Sequence, residues 1–533
     1  MSGFSRRGQM SERKQFRAIK GTRDILPPDS ALWNWFEHTA REVFESYNFG
    51  EIRLPAFEQA ELFYRSIGGE TDVVSKEMYY FQDKAIPELE VLREQIRYAT
   101  ILPSVPQTVD HFVRELRKFR QLLDAGFAAG EVPKHDLNVG TSQNLESEAN
   151  QLQELQSVES SARNNDMISF VASQIKRHVG ILHLGEPLAL RPEATASVCR
   201  AYIEHNMQAF PGNQKLYYIG PMFRRERPQK GRYRQFYQIG AEVLGQSDAP
   251  AIDAEVLEML LVFFNRVGLT RTTLYVNSIG DKNCRPQYVE LLRNELRRVK
   301  DRLKEDSQRR IETNPLRVLD SKIPEEQPII ETLPRISDYL CDECRAHFAK
   351  LKEELNLRRI DYKENWRLVR GLDYYTRTTF EVTAEGLGSQ NAVCGGGRYD
   401  GLVELLGGPP TKGIGFAIGT DRSILSIEES GNAPKLGGLA VYIAWMGQAS
   451  YPTAVSIARK LRSAGLSVEL PPEEMKFKKS LGLADKLGAR YALIIGEDEV
   501  ASRTFTLKRL ADGDQKKLAE GELLEYLESE RRR

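Results

Sequence analysis

Six cations fall within eleven residues of the stretch GPMFRRERPQKGRYRQFYQIGAEVLG: Arg224, Arg225, Arg227, Lys230, Arg232 and Arg234. Apolar, strand-like runs flank them, and Pro228 and Gly231 interrupt them. Guanidinium forks match phosphate oxygens two at a time, so such a hairpin suits a polyphosphate. A solvated basic hairpin would carry the same residues. A second cluster, Arg191, Glu193 and Thr195 in LALRPEATA, stands where a strand enters a helix, and capping that helix would explain it as well. A third, Arg370, Asp373, Tyr374, Tyr375 and Arg377 in LVRGLDYYTRTTFE, punctuates a strand pattern. The fourth is CGGGRYDG with GIGFAIGTDR, whose glycines let backbone approach a ligand closely. Its Gly413-x-Gly415-x-x-x-Gly419 spacing misses the dinucleotide fingerprint. Cys341 and Cys344, with His347 three residues on, make half of a zinc pattern. No second Cys or His pair lies nearby at ligand spacing, so no protein-only metal site is expected. No His sits beside Ser or Cys in a nucleophile motif, which leaves a covalent hydrolase without support.

The elements that must position these groups are legible in the periodicity. From Ser30 the set Leu32, Trp33, Phe36, Ala40, Val43, Phe44 and Tyr47 predicts a helix capped by Asp29 or Ser30. GEIRLPAF reads as a strand whose Pro55 belongs at an edge or interface. MYYFQD and EPLALRPE also read as strands. Between them, Lys84 to His183 is rich in Gln, Glu, Ser and Asn. Helical stripes at Val109–Leu123 and Leu152–Val158 predict a helical insert with a polar loop around Lys134 to Gln143. Strand, basic loop and strand follow from Leu216 to Gly245, then a helix over Ala254 to Val267 and mostly helix from about 286 to 360. Past a linker at Gly431 to Gly438, AVYIAW, SVEL and YALIIG alternate with helical stretches, predicting a small α/β domain with a mainly parallel sheet.

At 533 residues, with 41% hydrophobic and 28% charged, the chain is a multidomain protein able to bury a large core. Lys plus Arg and Asp plus Glu are both 75, so any nucleic acid must be held by local patches. No secretory signal or run of about 18 apolar residues is read. Five cysteines, sparse and odd in number, fit a reducing compartment, and a cytoplasmic location is expected.

Taken in order, these segments resemble the histidyl-tRNA synthetases, members of the class II aminoacyl-tRNA synthetases. KGTRDILP resembles the family's opening signature and SYNFGEIRLPAFE its first class-defining motif. The Arg-rich hairpin is similar to the second motif and GIGFAIGTDR to the third. LVRGLDYYTRTTFE and CGGGRYDGL resemble the two histidine-specific stretches. The resemblance implies an α+β fold: a six-stranded antiparallel catalytic sheet with helical insertions, then an α/β anticodon-binding domain. The implied division is a basic tail at 1–15, a catalytic core at 16–83 and 184–430, an atypical insert at 84–183, and an anticodon-binding domain at 437–533. The insert would sit between two catalytic-sheet strands.

The implied reaction joins L-histidine to tRNA(His) through a histidyl-adenylate, consuming ATP with Mg2+ and releasing pyrophosphate and AMP, in a homodimer that needs no membrane. In-line attack at phosphorus needs positioning and charge neutralisation more than an acid or base. By resemblance, Arg224 and Arg370 are catalytic, with Arg224 on the α-phosphate and histidine carboxylate. Arg224, Arg232 and Arg422 bind ATP. Glu193, Thr195 and Gln238 take the α-amino group and Glu242 with Tyr375 the imidazole, while Ala194, Tyr374 and Tyr399 complete the histidine pocket with Arg224 and Arg370. Gln229 reaches the tRNA acceptor end, and Lys476, Lys478 and Lys479 offer phosphate contacts in the C-terminal domain.

Two positions depart from the family pattern. Asp421 stands where the third motif has Glu, and Ala194 replaces a Gly, a costly change if that backbone needs a positive φ. A non-catalytic relative, such as the regulatory subunit of ATP phosphoribosyltransferase, generally erodes the motif arginines and lacks the C-terminal domain. Here Arg224, Arg232, Arg370 and Arg422 all stand and the C-terminal domain is present.

Overall fold

Apolar residues at helical spacing fix the first element, α1 (Asp29–Ser46), which buries Leu32, Trp33, Phe36, Ala40, Val43 and Phe44. Neither Asp29 nor Ser30 caps it. Pro28 occupies the cap position, and the Asp29 carboxylate begins the helix at the positive end of its dipole. Phe36 and Phe44 meet Phe263 of the helix Pro250–Arg266 edge-on, at 5.0 and 5.7 Å between centroids. The structure, a computed structural model, describes residues 16–68, 71, 73–83, 87–129, 136–158, 162–180, 186–385, 391–434, 436 and 438–531. The expected basic tail at 1–15 lies outside the described residues. The chain divides into two compact units between 433 and 434.

The strands of the first unit are β1 (Gly50–Glu51), β2 (Phe57–Gln59), β3 (Tyr79–Gln82), β4 (Pro187–Leu190), β5 (Gln214–Phe223), β6 (Gln235–Gly245), β7 (Thr272–Ser278), β8 (Lys363–Glu364), β9 (Thr376–Ala384), β10 (Ala392–Arg398) and β11 (Lys412–Gly419). Eight of them form one sheet in the order β1-β5-β6-β11-β10-β9-β7-β8. The central six pair antiparallel, as expected. A two-residue parallel strand is added at each edge, β1 on β5 and β8 on β7. GEIRLPAF is not one strand. It splits into β1 and β2, which belong to different sheets, because Pro55 has no N–H to offer and Arg191 takes the carbonyls of Leu54 and Pro55, at 2.7 and 2.9 Å.

β2, β4 and β3 make a separate three-stranded sheet, against which α2 (Ala60–Ile67) buries Phe63 and Ile67. The insert therefore interrupts this small sheet rather than the catalytic one. Gln82 pairs with Pro187, so the insert replaces the turn of the β3–β4 hairpin. Among its described residues it holds four helices, α3 (Pro87–Tyr98), α4 (Pro106–Ala129), α5 (Asp136–Ser157) and α6 (Ala162–Gly180). α3 and α5 each pack on both α4 and α6, enclosing a core of their own built on Leu92, Leu116, Phe119, Leu152 and Ile175. Of the polar loop expected at Lys134 to Gln143, the first two residues lie outside the described residues. From Asp136 the chain is helical, because Leu145, Ala149 and Leu152 recur on one face of α5 and are buried.

In the second unit, β12 (Val441–Trp445), β13 (Val468–Glu469), β14 (Tyr491–Ile495), β15 (Thr504–Arg509) and β16 (Gln515–Ala519) run in the order β13-β12-β14-β15-β16. The first three are parallel, as their helical connections require. β15 and β16 turn antiparallel across a short hairpin, a departure from the mainly parallel expectation. Among the described residues no helix is long and apolar enough to cross a membrane.

Candidate active site

Over the antiparallel sheet opens a cleft of about 360 Å³. Its lining includes Glu193, Thr195, Arg224, Arg232, Gln238, Arg370, Tyr374, Tyr375, Tyr399 and Arg422, so residues from all four sequence clusters meet there. Glu193 precedes α7 (Thr195–Glu204) and caps it, accepting the amides of Thr195 at 2.7 Å and Ala196 at 3.0 Å. Burial pushes the Glu193 carboxyl up, and those amides, the Thr195 hydroxyl and Arg224 oppose the shift. Ala194 has φ −114°, a backbone open to any residue, so the Gly-to-Ala departure carries no conformational cost.

Neither Ala194 nor Glu242 lines the cleft itself; the Glu242 carboxyl lies buried behind Thr195 and Tyr399, two residues that do. Thr195 donates its hydroxyl to Glu242 Oε1 at 2.8 Å and Tyr399 donates to Oε2 at 2.7 Å. Fully buried, the carboxyl is pushed up to about 8 by desolvation, with Glu193 adding to the rise and the two hydroxyls opposing it. Tyr374 sits between its neighbours, 4.7 Å from Tyr375 and 5.9 Å from Tyr399 by ring centroids. Gln238 Oε1 is buried with no donor among the described residues, so it is available to a ligand N–H. Gly395, Gly415 and Gly419 line the cleft, and the glycines of these two stretches also make room for side chains. A Cβ on Gly413 would stand 2.2 Å from the Tyr399 ring, and one on Gly395 would stand 2.1 Å from the Arg370 guanidinium.

The other end of the cleft is cationic. Arg224 is held by the Pro192 carbonyl at 3.0 Å, Arg232 by Glu226 at 3.2 Å, and Arg422 by the Ala392 carbonyl at 3.1 Å. Burial lowers the Arg422 pKa, and repulsion from Arg232 and Arg224 lowers it further. Three guanidiniums crowded this closely form a site for an anion. Arg370 also lines the cleft, bonded to Glu381 at 2.8 Å, with its Nε buried and without an acceptor among the described residues.

Not every expected residue is brought in. Of the six cations in the hairpin, only Arg224 and Arg232 line the cleft. Lys230 pairs with Glu429, and Arg225 lies over the Tyr79 ring. Gln229 is exposed at the hairpin tip, where its backbone and that of Arg232 pair. Arg191 holds carbonyls of the chain and Arg377 pairs with Asp248, both away from the cleft. Asp421 accepts from Arg23 at 2.8 Å and from the Tyr237 amide at 3.0 Å, so the shorter carboxylate still ties KGTRDILP to the third motif. Sequence reading missed Glu226, which alternates with the hairpin arginines, and Glu381, which no local pattern ties to Arg370.

A family model described as histidyl-tRNA synthetase matches residues 172–422, and an anticodon binding domain model matches residues 440–530. The histidine–tRNA ligase of Koribacter versatilis is 46% identical over 515 residues, covering 96% of each chain. That of Solibacter usitatus is 44% identical, covering 96% of this chain and 99% of its own. The crystal structure of apo S. aureus histidyl-tRNA synthetase superposes with a TM-score of 0.65 at 30% identity, covering 96% of this chain and all of that one. By sequence over nearly its whole length and by fold, this chain belongs to the histidyl-tRNA synthetase family.

Proposed function

We infer that the chain ligates L-histidine to tRNA(His), forming histidyl-adenylate from histidine and ATP and then passing the histidyl group to the tRNA. The observation that carries this reading is the polarity of one cleft. At one end a buried carboxylate backs two lining residues, Thr195 and Tyr399, through their hydroxyls; three guanidiniums line the other end, and Arg370 lines the wall with them. Glu242 takes the imidazole N–H, while Glu193, Thr195 and Gln238 receive the α-ammonium. A buried carboxylate left without its N–H partner rejects side chains that cannot donate, so selectivity needs no second site.

The histidine carboxylate attacks the α-phosphorus in line, and pyrophosphate leaves. Arg224 and Arg370 neutralise charge on the pentavalent phosphorus, and Arg232 and Arg422 hold the outer phosphates and adenosine. No enzyme nucleophile takes part. Glu226 and Glu381 line the cleft and would offer hard oxygen donors to a Mg2+ brought in with ATP, which would neutralise phosphate charge. Gln229 meets the acceptor end. The second unit reads the anticodon arm, supported by the exposed Lys476, Phe477, Lys478 and Lys479. A cytoplasmic homodimer joined partly through the first motif completes the reading, supported by the exposed Phe57 and Phe81 pair on β2 and β3.

The test is ATP–pyrophosphate exchange with each of the twenty amino acids, on the wild type and on Arg370→Ala. Exchange with histidine alone, collapsing in the variant, supports the assignment. No exchange in a folded wild type overturns it in favour of a non-catalytic regulatory role.

A further inference from the structure

We propose that Asp281, Cys284, Cys341 and Cys344 form a structural zinc site behind the loop that carries Tyr374 and Tyr375. Their ligand atoms, one carboxylate oxygen and three thiols, all lie within 4.8 Å of one another. In a tetrahedral site, Zn–S bonds of about 2.3 Å place sulfurs about 3.8 Å apart, so only a small contraction separates this cluster from a coordination shell. The cysteines are free thiols. Cys344 and Cys284 are almost fully buried, as a closed structural site requires rather than a catalytic one with an open position.

The sequence shows the pattern once the fold is known. Asp281-x-x-Cys284 and Cys341-x-x-Cys344 are two knuckles of equal spacing, 57 residues apart between Cys284 and Cys341. The second half that sequence reading sought near Cys341 is remote along the chain, and one of its ligands is a carboxylate. His347, the neighbour that suggested a ligand, faces away, with Nε2 3.1 Å from the Asp248 carbonyl oxygen.

Three further features fit an ion. Cys284 and Cys341 stand at the N-caps of the helices Arg285–Arg298 and Asp342–Leu357, so each knuckle is anchored at the start of a helix. Gly280 has φ +65°, and a Cβ there would stand 2.7 Å from Cys284 Sγ, so only glycine lets the first knuckle close. Three thiolates and a carboxylate leave a zinc complex net negative, and the Arg377 guanidinium lies 3.5 Å from Asp281 Oδ2 to balance it. Binding would release the thiol protons to solvent.

The ion would tie both helices to the pocket wall. Gly280 O accepts the Arg377 amide at 2.8 Å, Arg377 O accepts the Ile279 amide at 2.8 Å, and Arg285 donates to the Tyr375 carbonyl. The proposal does not depend on which substrate the cleft takes. Elemental analysis of the full chain, purified under reducing conditions, is expected to give about one zinc per chain. Titrating the chelator-treated wild type with Co2+ should give an intense thiolate-to-cobalt charge-transfer band and tetrahedral d–d bands, both abolished by Zn2+. The C341S/C344S double variant should lose the metal. A folded wild type that takes up no Co2+, iron in place of zinc, a Cys341–Cys344 disulfide in fresh protein, or undiminished metal in the variant would each overturn the proposal. If the variant does not fold, the wild-type cobalt titration decides.

Discussion

Gly415 and Glu242 face each other across the β11–β6 ladder, and a Cβ built on Gly415 would stand 1.6 Å from Glu242 Oε2. The glycine of the third motif is thus the space in which the buried carboxylate lies. Overfilling a packed site costs about 1–3 kcal/mol, and 1.4 kcal/mol is about a factor of ten in binding. Gly415→Ala is therefore expected to raise KM for histidine about tenfold or more and to lower Tm. Gly50→Ala, in the edge strand of the same sheet with nothing within 4 Å, should change neither. Pyrophosphate exchange and thermal melting check both.

Arg370 donates to Glu381 at 2.8 Å, and its buried Nε has no acceptor among the described residues. Removing one donor aimed at a developing charge typically costs about 100- to 1000-fold in rate. Arg370→Ala should lose that much kcat in exchange while KM for histidine changes little. A large KM change at constant kcat would instead mark ground-state binding.

The raised Glu242 pKa sets a pH dependence. In the empty site the carboxyl titrates near 8, whereas in the unfolded chain it titrates near 4.5. The folded state holds a proton that the unfolded state has lost, so stability falls as pH rises from about 4.5 to about 8. An imidazole N–H favours the ionised carboxylate, so histidine should bind more tightly as pH approaches 8 and should release a proton on binding. Calorimetry in buffers of different ionisation enthalpy measures that proton. Glu242→Gln should remove it and flatten the fall in Tm of the empty protein.

The insert hangs on a paired hairpin, Gln82 opposite Pro187, with the Asp83 amide bonded to the Glu186 carbonyl at 3.2 Å. Its helices bury a core of their own. Replacing residues 84–185 with Asn-Gly, a two-residue hairpin turn, should leave exchange within about twofold of wild type. An unchanged KM for tRNA would make the insert a tolerated excursion, and a raised one would make it a tRNA contact.

Much of the fold follows from local pattern. The stripe of α1, the strands around the Arg-rich loop and the alternation of the C-terminal unit were legible because side-chain period depends only on backbone geometry. The residue types that suit phosphate, ammonium and imidazole were legible too, and Glu193, Arg224, Arg232, Arg370 and Arg422 do converge. Which two of six hairpin cations enter the cleft was not legible from spacing, because facing is set by the β5–β6 register and by partners such as Glu429 and Tyr79 that lie far away in sequence; the resemblance named Arg224 and Arg232, and these are the two that line it. Nor was the fourfold meeting of Asp281, Cys284, Cys341 and Cys344, which arises only when two helix N-termini pack together. The sequence by itself determined the chemical groups and the elements that carry them, because both are local properties. Tertiary structure alone decided which groups meet, because distance between remote residues is fixed by packing and register, not by spacing along the chain.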